Sequence, residues 1–102
     1  MKEYDLYVPL CRNDGAPVSE EKLARLKKEL VEQFGGLTNF PQANEGFWKI
    51  GSITFRDKIV ILRVLADDEK QSAEFFKKLK KEMQREWEQD DVLIVARDVS
   101  VL

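Results

Sequence analysis

With 102 residues, 43% hydrophobic and 35% charged, and a formal net charge of -2, the chain is long enough for one domain with a real core and unlike a disordered or repeat protein. A single Cys and no His exclude a disulfide framework, His-based nucleophile pairs and most zinc sites. The slight acidity argues against nucleic acid as a partner, and no apolar run is long enough to span a bilayer, so no membrane is expected.

The opening Met1-Lys2-Glu3-Tyr4-Asp5 is charged at once and lacks the apolar stretch of a signal peptide. The lone Cys11 fits a reducing compartment, and a cytoplasmic location is expected. Tyr4, Leu6, Val8 and Leu10 alternate with Asp5, Tyr7 and Pro9, the period of a half-buried strand. Pro9 has no amide donor, so pairing there is irregular or one-sided. Asn13-Asp14-Gly15 closes the strand in a turn.

Ser19 then caps a helix, with Glu20 and Glu21 at its positive end. Leu23, Leu26, Leu30 and Phe34 line one face, and Gly35 stands where a left-handed terminating residue belongs. Leu37–Phe40 and Phe47–Ile50 read as two pieces of one edge strand, parted by a loop or wide bulge over 41–46. Gly51-Ser52 predicts a hairpin turn. Ile53 to Leu65 is the longest β-rich stretch, interrupted at Arg56-Asp57-Lys58 by a bulge or a second turn; apolar residues on both of its faces predict a central strand.

Asp67 or Asp68 caps a second helix with the stripe Ala73, Phe76, Leu79, Met83 and Trp87. Gln89-Asp90-Asp91 ends it, and Val92 to Val101 forms the last strand. The order β-α-β-β-α-β predicts an α+β fold, a single ferredoxin-like domain over residues 1–102: a four-stranded antiparallel sheet with both helices on one face.

Function is less legible. If Leu6 and Val8 face the helices, Tyr7 points away, as do Ile59 and Ile61, and an apolar reverse face predicts self-association unless the 41–46 loop covers it. Phe40, Phe47 and Trp48 beside that loop are candidates to line a pocket, with Asn39 or Arg12 as polar fixers; the competing reading is aromatic packing on helix ends. Lys77, Lys78, Lys80 and Lys81, with Arg85 beyond, are candidates to bind phosphates, but Glu74, Glu82, Glu86 and Glu88 are interleaved with them and favour a solvated helix face. Asp67-Asp68 and Asp90-Asp91 read as helix-end residues, so no metal site and no cofactor are expected. Cys11, although beside Arg12, reads as an inert small apolar residue.

Pro9-Leu10, Asn13-Asp14-Gly15, Phe34-Gly35-Gly36-Leu37-Thr38 and Gly46-Phe47-Trp48 together resemble a group of small bacterial proteins of unknown function that share a GGLT…GxW signature. The resemblance implies a ferredoxin-like fold and no activity, so it carries over no catalytic residue. The expectation is therefore a non-enzymatic interaction module, a homodimer or a binder of another protein, that pairs through its sheet. One alternative is a small-molecule-binding protein or cofactor-free enzyme with a sheet or loop cavity, using Trp48, Tyr7 and a carboxylate. The other is a nucleic-acid-associated protein.

Overall fold

The computed structural model describes residues 1–89 and 91–102, and only the backbone of Ala43, Trp48, Ile50 and Phe55. The chain runs β1 (Lys2–Pro9), α1 (Glu20–Phe34), β2 (Thr38–Ile50), β3 (Ile53–Ala66), α2 (Glu69–Glu86) and β4 (Ile94–Asp98). Asp90, half of one expected carboxylate pair, lies outside the described residues. The strands form one sheet in the order β2-β3-β1-β4, with every neighbouring pair antiparallel. β1 and β3 are the inner strands, where the apolar patterning put them.

Local chemistry sets the helix ends. The Ser19 side chain accepts from the Lys22 amide, and Gly35 closes α1 at φ 79°, its own amide bonded to the Val31 carbonyl. The Asp68 side chain accepts from Gln71 N–H at the start of α2. Both apolar stripes then meet the same side of the sheet. Tyr4, Leu6 and Val8 lie opposite Val64, Leu62 and Val60 in register, and all six join Leu26, Leu30, Phe76, Leu79 and Met83 in one buried cluster. Tyr4 stacks on Phe76 with ring centroids 4.2 Å apart.

Three expectations are corrected here. Residues 41–46 are not a loop that covers the sheet: β2 continues through them, and in keeping with the bulge alternative the ladder slips once, between Phe40 and Asn44. An edge strand tolerates Pro41 at such a slip because no inner neighbour needs its missing amide. Arg56-Asp57-Lys58 is neither bulge nor turn, since these residues pair in plain register with Phe47, Gly46 and Glu45. The last strand is shorter than 92–101. Val92, before it, is instead buried in the core at 1% exposure.

β1 pairs only with the Ile59–Ala66 half of β3. The other half and its partner residues in β2 therefore leave the four-stranded sheet as a two-stranded arm, closed by Gly51 at φ 63°, and the molecule is 42 Å along its longest axis. Among the described residues, no helix is long and apolar enough to cross a membrane.

Candidate functional site

The side of the sheet away from the helices is not the oily surface expected. Alternation along β1 puts Glu3, Asp5 and Tyr7 there, and register places Arg63 opposite Asp5 and Arg97 opposite Glu3. Arg63 bonds Asp5 through Nε to Oδ1 at 2.7 Å and through Nη2 to Oδ2 at 3.0 Å. Arg97 Nη1 donates to Glu3 Oε2 and Asp5 Oδ2, both at 2.9 Å, and Arg63 Nε also lies 3.2 Å from Glu3 Oε1. Two carboxylates and two guanidinium groups thus close a neutral network over half of this face. The Arg63 hydrogen bonds, then those of Arg97, hold the Asp5 carboxyl below its ordinary range against the opposing effect of burial.

Beside this network, among the described residues, lies an apolar patch. Tyr7, Ile61 and Phe40 stand side by side across three strands, Ile59 is buried beyond them, and Arg63 lies 5.0 Å above the Phe40 ring. The structure therefore brings together four of the residues singled out in the sequence: Tyr7, Phe40, Ile59 and Ile61. It separates the others. Asn39 pairs with Leu62, whose side of the sheet faces the helices. Arg12 sits in the loop after β1, ion-paired with Asp14 at 3.1 Å and Glu88 at 3.2 Å. Phe47 lies out on the arm, 63% exposed, and the side chain of Trp48 lies outside the described residues. Cys11 is a free, half-buried thiol in the same loop as Arg12.

A concavity lies elsewhere, between α2 and the β4 edge: an open groove of about 630 Å³. Its floor is Tyr4, Ala73, Phe76, Ile94 and Ala96, and its rim Lys2, Glu69, Lys70, Lys77 and Lys80. The groove exists because β4 is short and because alanine stands at position 73 of the helix and at position 96 of the strand, where larger residues would close the gap. The floor is rigid. The Ser72 hydroxyl donates to the Glu69 carbonyl at 3.1 Å, so the Tyr4 hydroxyl, 2.9 Å from Ser72 Oγ, is the donor of that buried pair.

On the rim, Lys2 is held by Asp98 at 2.7 Å and Lys80 by Asp91 at 3.1 Å. Hydrogen bonding to Asp98 raises the Lys2 pKa, and hydrogen bonding to Lys80 lowers that of Asp91. The groove was not legible in the sequence: interleaved glutamates favour a solvated face for the α2 lysines, and nothing in one dimension pairs them with β4. The available signal was Ala73 standing between Lys70 and Lys77 at helical spacing. Among the described residues, no group of three His, Cys, Asp or Glu side chains is placed to hold a metal ion.

Sheet order, helix placement and groove define a small α+β domain with a concave site at one sheet edge. No protein-family model matches the chain, and no curated protein does. Its fold is similar to that of a solved structure, a phage SAM lyase in complex with S-methyl-5'-thioadenosine, with a TM-score of 0.71 over 95% of this chain and 80% of that one. At 12% identity the likeness shows the fold alone. It still corrects the main functional expectation. A non-enzymatic module pairing through an apolar sheet does not stand when the similar fold belongs to an enzyme solved with a small molecule and the pairing face carries four charged side chains.

Proposed function

We propose that the chain is a small-molecule-binding protein of ferredoxin-like architecture, whose ligand occupies the groove between α2 and β4. The groove carries the reading. Its volume of about 630 Å³ is in the range of ligand sites, roughly 300–1,000 Å³, and such sites combine an apolar floor with a few polar groups that fix orientation. Tyr4, Phe76, Ile94 and Ala96 supply an apolar floor, and the lysines and Glu69 supply the polar rim. The element order β-α-β-β-α-β and the strand order β2-β3-β1-β4 support the ferredoxin-like assignment.

The likeness to the phage SAM lyase complex makes a nucleoside thioether the first ligand class to try. Titration calorimetry with S-methyl-5'-thioadenosine and adenosine tests this. Saturable one-to-one binding is expected, weakened at least tenfold in Ala96→Trp, where an indole fills the groove from the exposed edge strand. Folding of that variant is checked by circular dichroism. No saturable binding of either nucleoside, or of adenosine 5'-monophosphate, to the native chain sinks the reading.

A further inference from the structure

The geometry points to a nucleoside phosphate as the preferred ligand of the groove, with its phosphate seated over Ala73 between Lys70 and Lys77. This rests on the reading of the groove as a ligand site and adds the charge of the occupant. Lys70, Ala73 and Lys77 follow at i, i+3 and i+7 on α2, so they share one helix face that turns toward the groove. The two lysines stand about 10 Å apart along the axis at 1.5 Å per residue, and the alanine between them leaves space that any longer side chain would occupy.

Their charge is uncompensated, and that distinguishes them from their neighbours. Lys2 and Lys80 on the same rim are each committed to an aspartate. Among the described residues, Lys70 and Lys77 are within ion-pair distance of no carboxylate, and Glu69 is the rim's one acidic side chain, 57% exposed beside the Met1 amine. Two free ammonium groups on flexible four-carbon stems can converge on a single anion as point charges. Next to them the groove floor, the edges of Tyr4 and Phe76 together with Ile94 and Ala96, offers apolar contact for a nucleoside. A phosphate joined to a nucleoside satisfies both halves of the groove, whereas a neutral nucleoside leaves the lysines unused.

The test compares adenosine with adenosine 5'-monophosphate by calorimetry on the full chain, at low and at high salt. The monophosphate is expected to bind at least tenfold more tightly at low salt, with the advantage shrinking as ions screen the lysines. Lys70→Gln/Lys77→Gln is expected to abolish the advantage, so that the two ligands bind the variant with equal affinity. Equal affinity of the two ligands overturns the phosphate assignment and leaves the groove intact as a site. A preference that persists in the double variant also overturns it, because the phosphate is then held by other residues. Failure of both ligands to bind overturns the groove reading along with it.

Discussion

Arg63 grips Asp5 at both carboxylate oxygens, 2.7 Å from Nε and 3.0 Å from Nη2, across the middle of the sheet face that no helix covers. Asp5 is 3% exposed, whereas its partners keep one side in water. The bidentate geometry and the second guanidinium of Arg97 are what make burial of this carboxylate tolerable.

Asp5→Ala is therefore expected to lower unfolding stability by about 2 kcal/mol, because two arginines lose their shared acceptor and are left facing each other. Urea denaturation measures it. A loss within about 0.5 kcal/mol, the range of an ordinary surface substitution, would show that the network contributes nothing net.

The same pair sets the acid limb of stability. The native pKa of Asp5 lies below its ordinary value of 3.8, the Arg63 hydrogen bonds being the main cause. A carboxyl depressed in the native state contributes stability that is complete above the unfolded pKa and disappears as pH falls through the native one. Denaturation midpoints measured from pH 6 down to pH 2 should fall in native protein, and the fall should be shallower in Asp5→Asn.

Glu29 has the opposite sign. Desolvation, reinforced by the charges of Glu82 and others nearby, raises its pKa above the ordinary 4.5. Its ionised form is thus favoured less in the folded than in the unfolded chain, so the group subtracts stability as pH rises past that value. Glu29→Gln should raise the melting temperature modestly at pH 7 and leave it unchanged near pH 3, where both states hold the proton. A fall at pH 7 would refute the assignment.

The two glycines after α1 should behave differently. Gly35 is held at φ 79° with open space where a Cβ would go, so Gly35→Ala meets no neighbouring atom and costs only the left-handed backbone strain, about 1 kcal/mol. Gly36 has the same open surroundings and no positive φ. Gly36→Ala should be neutral or slightly stabilising in thermal melts.

Tyr4 and Ser72 supply an asymmetric pair. Tyr4→Phe leaves the Ser72 hydroxyl bonded to Glu69 and should cost about 1 kcal/mol. Ser72→Ala strands a buried phenol and should cost more, about 2 kcal/mol. Equal or reversed losses in chemical denaturation would mean that water reaches the phenol through the groove.

What the sequence determined by itself is what adjacent residues decide among themselves. Ser19, Asp68 and Gly35 end the helices through hydrogen bonds only a few residues long. The period of Leu23, Leu26 and Leu30 orients one helix and that of Tyr4, Leu6 and Val8 a strand. These were legible because their energetics are local, and the β-α-β-β-α-β order followed from them. The continuity of β2 through Pro41 and the plain pairing of Arg56 were not legible, because the ladder bonds outweigh local turn signals and come from the partner strand.

The charge network and the groove belong to the tertiary structure alone. Asp5, Arg63 and Arg97 meet only once register is set across three strands, and residues 58 and 92 positions apart become neighbours. In sequence, Arg63 was an interruption in an apolar run and Arg97 a mark of a solvated strand end. The groove depends in the same way on Ala73 and Ala96 facing each other across a gap between helix and strand. A small residue announces no cavity in one dimension. It becomes one only when packing brings another small residue opposite and the chain places nothing between them.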